Sequence, residues 1–260
     1  MEQGTAEPHP ETRVWLPAQA VSGGPTGGPT GVRVRAAGPG AGGSGAAPPG
    51  PQPRRHSVRG QVLAALRRAL TAGELLPGEV YSAPVLAERY GVSATPVREA
   101  MQQLAGEGAV EVVPNRGFRV CERSSRDLAE FSEVRTMLEL PAIVRLARAV
   151  PPERWEELRP LAEEGVAAAA RGDRAGYAEA DHAFHQALIA LTGNRRLTQV
   201  TGDLLRRAQW AAGGGGRPGT AALLADASEH TALLDALLAQ EHGVVERIAR
   251  AHLSAARHRH

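Results

Sequence analysis

From Ser124 to His260 the sequence keeps a single hydrophobic period. Apolar residues recur every three or four positions in six stretches, near 125–149, 152–171, 173–192, 195–212, 220–239 and 243–257. Breaks fall at Pro151-Pro152, Gly172-Asp173, Gly193-Asn194 and the glycine run Gly213–Gly216. Amphipathic helices joined by short turns bury their apolar faces only against one another, so this half of the chain is predicted to form an all-α antiparallel bundle. The glycine run, continued by Arg217, Pro218 and Gly219, is too open for a tight turn and reads as a mobile loop near a ligand cavity.

Residues 57–121 follow a different plan. Val58, Val62, Leu66, Ala69 and Leu70 sit at helical spacing until Gly73 and Pro77-Gly78 stop the helix. A second helix over roughly 83–90 ends at Gly91. A third starts at Ser93 or Thr95 as N-cap, with Pro96 in its first turn, and runs to about Gly106. Val110, Val112, Phe118 and Val120 then alternate around Pro114-Asn115-Arg116-Gly117, the pattern of a β-hairpin. Residues 1–56 contain 12 Gly and 10 Pro without any apolar period, so this segment is predicted to be a disordered tail. The fold class is therefore mostly α, in three parts: a tail at 1–56, a helical domain with a hairpin at 57–121, and a helical bundle at 122–260.

Composition narrows the function classes. One cysteine, Cys121, excludes an internal disulfide and a cysteine-based zinc finger. No apolar run reaches the roughly 18 residues needed to span a bilayer, and the N-terminus lacks the pattern of a signal peptide, so a cytoplasmic protein with no membrane partner is expected. The 30 basic residues are all Arg and face 28 acids, a net charge of +2. Within 57–121 seven Arg face six acids. Any grip on nucleic acid must come from individually placed arginines.

The stretch VLAERYGVSATPVREAMQQL supplies such a placement. Small Ala87 permits a close helix crossing, Gly91 four residues on permits a sharp turn, and apolar Val97 six further on packs inside. Together they form a helix-turn-helix signature that presents the second helix to a major groove. Ser93, Thr95 and Arg98 lie at the exposed start of that helix, with hydroxyls and a guanidinium suited to phosphates and base edges. Arg116 and Gly117 at the hairpin tip would form a wing able to approach the DNA backbone closely.

In the bundle, helical spacing places Asp181 and His185 on the apolar face of their helix, with Tyr177, Phe184 and Leu188. His230 shares a seam with Leu223, Ala227, Leu234 and Leu237, and His252 shares one with Val245, Ile248 and Ala255. His182, His242, His258 and His260 fall off these seams. A buried carboxylate needs compensation, and two readings supply it. Hydrogen bonds among core residues are one. The other is a divalent ion, with one Asp and three His suiting zinc, nickel or manganese and leaving positions open for water or a ligand.

PGE at 77–79, GVSATPVREAM at 91–101, LAGEGAVEVVPNRGFRV at 104–120, and the later DHAFHQALIALTGN and EH…AHL resemble the GntR family of bacterial transcription regulators. The resemblance is to its FadR-type branch, which carries an all-helical FCD effector domain, and it covers about 58–258. It implies a winged helix-turn-helix in which a homodimer reads a short palindromic double-stranded operator, with Ser93, Thr95, Arg98 and Gly117 at DNA-contacting positions. Pro84 and Ala94 stand where the family usually has Arg, which alters the expected base and phosphate contacts. The resemblance also implies that Asp181, His185, His230 and His252 match the metal-binding subset of FCD domains, and that Arg135 occupies the effector-facing position. Arg135 would grip a small-molecule carboxylate; the other reading is a surface ion pair with Glu139 at i+4. The expected function is that of a repressor sensing a small organic acid. A regulator for which the metal is itself the signal uses the same residues, and so does a metal-dependent enzyme, although Glu179, the nearest extra carboxylate, lies off the seam.

Overall fold

A computed structural model describes residues 57–210 and 219–255. The tail at 1–56, the glycine run at 213–216, His258 and His260 lie outside the described residues, and so do the readings that concern them.

The first half of the described residues assembles around three helices, α1 (Val58–Ala72), α2 (Ala83–Tyr90) and α3 (Ala94–Gly106). α1 buries Val62, Leu63, Leu66, Ala69 and Leu70, while Val58 at its start is exposed. Between α2 and α3, Gly91 takes a φ of 65°, and the Val92 amide donates to the Ala87 carbonyl at 3.0 Å. This left-handed residue closes α2 and aims α3 away from it. Ala87 and Val97 are buried where the two helices meet.

The sequence indicates two strands, and the described residues form three. β2 (Val110–Val113) and β3 (Gly117–Val120) form the expected hairpin, and β1 (Val80–Tyr81) joins the outer side of β3, giving the antiparallel order β1-β3-β2. A two-residue strand is too short to show alternation, so only its partner reveals it. Pro114 and Asn115, the latter at φ 60°, supply the residue pair of a type II turn at the tip. Gly117 has φ 129°, and a Cβ there would collide with the Tyr81 carbonyl. Its missing side chain thus serves the β1–β3 approach as well as any close contact made by the wing.

The bundle comprises α4 (Ser125–Ala149), a 3-10 helix over Pro152–Leu158, α5 (Arg159–Ala170), α6 (Arg174–Ala190), α7 (Arg195–Gln209), α8 (Thr220–Leu238) and α9 (His242–Ala255). A single helix over 152–171 is not formed. Pro160 is tolerated in the first turn of α5 but would remove a backbone donor from a continuous helix, so the chain winds tightly first and restarts. Side-chain caps fix the other starts. Ser124 and Asp127 form a reciprocal capping box at α4, Asp173 caps α6 through the Gly176 amide at 2.8 Å, and Asn194 caps α7 through two amides at 3.1 Å. Leu140, Ile143, Trp155, Phe184, Leu188, Leu234, Val245 and Leu253 belong to one buried core that joins α4, α6, α8 and α9.

Replacing Gly117 by Ala is expected to lower the unfolding free energy by about 1–3 kcal/mol, because it combines an unfavourable φ with a backbone clash; urea denaturation measures it, and an unchanged midpoint would contradict the packing described for β1.

Candidate functional site

α6 contributes Asp181 and His185 one turn apart, α8 contributes His230 and α9 contributes His252. All four are buried, at 7%, 4%, 1% and 7% exposure respectively. Oδ1 of Asp181 lies 3.3 Å from Nε2 of His230 and 3.6 Å from Nε2 of His185. Nε2 of His252 lies 3.1 Å from that of His185 and 3.2 Å from that of His230. The structure thus brings together all four residues singled out from the three seams.

A second layer holds this cluster. Nδ1 of His185 is 2.9 Å from Oε2 of Glu139, and Nδ1 of His252 is 2.7 Å from Oε2 of Glu229. Gln209 Nε2 donates to Oδ2 of Asp181 at 2.7 Å, turning Oδ1 toward the histidines. Phe184 stacks on His230 with ring centroids 4.3 Å apart. An ionised carboxylate only accepts, so Glu139 and Glu229 place the proton of each neutral imidazole on Nδ1. The Nε2 atoms of His185 and His252 then present lone pairs to each other across 3.1 Å.

Such an arrangement is repulsive unless a cation or an added proton lies between the nitrogens, which tests the donor set for a metal. Ligand bonds of about 2.1 Å to one centre place neighbouring donors roughly 3.0 Å apart at right angles and roughly 3.4 Å apart at tetrahedral angles. Three of the separations, 3.1, 3.2 and 3.3 Å, fall within that range, and the fourth, 3.6 Å, lies just beyond it. Three nitrogens and one oxygen with outer-shell carboxylates are the donors a borderline divalent ion takes.

Arg135 on α4 stands beside the cluster, but its ion pair with Glu139 is buried and not on the surface. The two side chains are 7% and 0% exposed, Nε donates to Oε1 at 2.6 Å, and one amino nitrogen donates to Oε2 at 3.3 Å. The same amino nitrogen is 3.4 Å from Nδ1 of His185. Burial alone would raise the Glu139 carboxyl, but the Arg135 guanidinium and His185 outweigh it and hold it at about 2. Sequence reasoning found Glu139 only as a surface partner and missed Glu229 and Gln209. The signal available was that Glu139 lies one turn after Arg135, and that Glu229 directly precedes a seam histidine. Glu179 is exposed and pairs with Arg206 at 3.4 Å, away from the cluster.

A groove of about 930 Å³ lies elsewhere, on the outer side of α6 and α7, lined by His182, Gln186, Arg195, Arg196, Gly202 and Arg206 among others. It does not reach the four clustered residues. Burial, then the charges of Arg206 and Arg67, lower His182 to about 4 and keep it neutral near pH 7.

In the half built on α1–α3 and the hairpin, Ser93, Thr95, Arg98 and Arg116 are exposed. Ser93 begins α3 without a side-chain capping bond, so its hydroxyl is uncommitted to the helix. Among the described residues Arg98 and Arg116 take part in none of the ion pairs, in contrast to Arg59, Arg67, Arg89 and Arg119, which pair with Glu99, Glu107, Glu74 and Glu111. The free guanidiniums are therefore those at the start of α3 and at the hairpin tip.

Comparison with known proteins agrees with both halves. Residues 59–120 match the bacterial regulatory proteins of the gntR family, and residues 130–255 match the FCD domain. An HTH-type regulator from the TAR-I ttuE-ttuC' intergenic region of Agrobacterium vitis is 38% identical over 140 residues, covering 52% of this chain and 82% of that protein. The chain belongs to the GntR family. It is a DNA-binding transcription regulator of the FadR-type branch. The regulator McbR of Escherichia coli is 36% identical over 126 residues, 48% of this chain and 57% of McbR. A probable D-xylose utilization operon repressor of Paenarthrobacter nicotinovorans is 32% identical over 146 residues, 56% of this chain and 64% of that protein. Among solved structures E. coli McbR/YncC superposes with a TM-score of 0.62 at 28% identity, covering 76% of this chain and 94% of that one. No helix among the described residues is long and apolar enough to cross a membrane.

Glu139→Gln leaves the Arg135 charge buried without its counter-ion, so chelator-treated protein should lose about 3–5 kcal/mol of stability, against less than about 0.5 kcal/mol for the exposed Glu130→Gln. The sign of the pH dependence follows from the lowered carboxyl. The wild-type contribution is whole above an unfolded value of about 4.3 and is lost as the pH falls from there toward about 2. Acid titration of the unfolding free energy should show that slope in the wild type and a shallower one in Glu139→Gln.

Proposed function

We propose that this GntR-family regulator is a ligand-responsive repressor that senses a small organic acid through a divalent ion held by Asp181, His185, His230 and His252. The reading rests on one observation: two histidine nitrogens whose protons are held on the far side of each ring face one another across 3.1 Å, beside a buried carboxylate oxygen. Zinc fits the donors, and nickel or manganese would fit as well. When bound, the ion would neutralise the buried carboxylate and offer its remaining positions to a carboxylate ligand. Glu139 and Glu229 orient the imidazoles, Gln209 orients Asp181, and Arg135 supplies fixed positive charge toward an anionic effector.

Residues 57–121 are assigned to operator DNA, with Ser93, Thr95, Arg98, Arg116 and Gly117 at the contact surface, and residues 122–260 to effector binding and dimerisation. A homodimer matches the two-fold symmetry of a palindromic operator. Exposed Val134 and Met137 on α4 and Val200 on α7, two helices that pack against each other, give the bundle apolar surface for a second copy. Such a regulator works in the cytoplasm, where its DNA is. The names of several relatives, among them the xylose-operon repressor and the E. coli repressors GlaR and RspR, support repression. The effector acts only through differential affinity, binding better to the arrangement of the dimer in which the reading heads are misplaced.

The full burial of the four donors also favours a second reading, in which the ion is itself the signal. Untagged protein should carry about one divalent ion per chain, lost in Asp181→Ala and His230→Ala. Binding to a duplex selected from a random pool, measured with chelator, with metal, and with metal plus a panel of carboxylates, separates the two readings. Release by a carboxylate only when metal is present supports the acid sensor, and release or binding by metal alone supports the metal sensor. A well-folded wild type without metal refutes both. Arg98→Ala should weaken the selected duplex by about 1–3 kcal/mol.

A further inference from the structure

The C-terminal end of α7 joins the buried cluster to the DNA-reading domain by consecutive contacts. Gln209 donates from Nε2 to Asp181 Oδ2 at 2.7 Å and to the Ala178 carbonyl at 2.9 Å, so it holds the carboxylate oxygen opposite the one that faces the histidines. The next residue, Trp210, is buried, and its ring centroid lies 5.9 Å from the Arg123 guanidinium carbon. Phe131 of α4 presents a second ring to the same group at 5.7 Å. Arg123 belongs to the short link between β3 and α4, and one amino nitrogen donates to the Gly108 carbonyl. Gly108, at φ 75°, is the turn between the recognition helix α3 and the first strand of the wing.

Arg123 is therefore a cation held between two rings of the bundle and bonded to the junction of both DNA-reading elements. Its Nε is buried and makes no hydrogen bond, so ring contacts and the Gly108 carbonyl set its position. A further side-chain link between the halves, Arg68 to Asp173 at 3.3 Å, has side chains 51% and 35% exposed and is screened by solvent.

We infer that Gln209, Trp210 and Arg123 are positioning residues that transmit the state of the Asp181 cluster to the DNA-reading domain. A change in what Asp181 Oδ1 holds alters the strength and direction of the bond that Oδ2 accepts from Gln209. Gln209 is covalently next to Trp210 at the last turn of α7, so a shift of its side chain moves the ring against which Arg123 rests. Arg123 then re-aims the carbonyl from which the recognition helix and the wing diverge. This inference rests on the reading of the cluster as the sensing site, and the experiment separates the two.

Hydrogen–deuterium exchange over residues 104–123 and over α6 is compared with and without Zn²⁺, in wild type, Arg123→Lys and Trp210→Leu. Affinity for a duplex selected by the wild type is measured under the same conditions. Arg123→Lys keeps the charge at a half-buried position and guards against loss of folding in the tryptophan variant. Zn²⁺ should change exchange in both regions of the wild type. In the variants the α6 response and the Zn²⁺ affinity should persist within about twofold, while the ratio of duplex affinities with and without Zn²⁺ shrinks about fivefold or more toward one. Unchanged ratios in both variants, with Zn²⁺ still bound, overturn the relay. If the wild type binds no Zn²⁺, the sensing reading fails and Asp181→Asn decides the relay alone. Altered exchange at 104–123 that disappears in Asp181→Asn/Arg123→Lys sustains it, and no alteration overturns it.

Discussion

An aspartate and three histidines at the centre of an apolar bundle can be kept there only if every polar atom is satisfied, because an unpaired buried charge destabilises a domain by several kcal/mol. The bundle meets much of this requirement with an outer layer around Asp181, His185 and His252. Glu139 and Glu229 take the outer imidazole nitrogens, Gln209 takes one aspartate oxygen, and Arg135 balances Glu139. What this layer leaves over is a set of inward-facing donors whose lone pairs repel one another. The site thus gathers six of the eight buried polar or charged side chains among the described residues.

The surrounding helices are arranged to make this possible. α6 carries two donors one turn apart, α8 and α9 bring one each, and Glu139 of α4, Gln209 of α7 and Glu229 of α8 contribute the outer layer. Phe184, wholly buried, stacks on His230 and fixes its plane. Almost every helix of the bundle therefore touches the cluster through at least one side chain, so a local change of charge is felt by the packing as a whole. The DNA-reading half depends on different physics. Its net charge is close to zero, most of its arginines are paired with glutamates, and the unpaired ones sit at the start of α3 and at the hairpin tip. Placement replaces bulk electrostatics, consistent with reading a sequence instead of coating a polyanion.

Membership of the GntR family and the similarity to McbR explain why the two halves occur in one chain. A regulator needs a switchable site and a reading head that share a mechanical boundary. The halves meet where α1 packs on α6 and at the short link of residues 121–124, where Arg123 lies against rings of the bundle and bonds to a carbonyl of the winged helix. A surface salt bridge alone would be a weak and salt-sensitive connection.

Periodicity, glycine and proline punctuation, and capping residues were enough to place the helices of both halves to within a few residues, because those signals are local. The same spacing put Asp181, His185, His230 and His252 on inward faces, since a side chain's direction on a helix follows from its position in the repeat. Local signals were silent on β1, whose two residues become a strand only when β3 lies beside them, and they ran one helix through 152–171 where the chain restarts at Pro160. They also offered a surface pair with Glu139 as one of two readings of Arg135, because i+4 spacing says that two side chains meet and nothing about what covers them. Convergence of the three seams, burial of the Arg135–Glu139 pair, and the meeting of Gln209 with Asp181 across 28 positions all depend on how helices pack in space. Facing directions are encoded residue by residue, whereas facing partners are decided only by the tertiary fold.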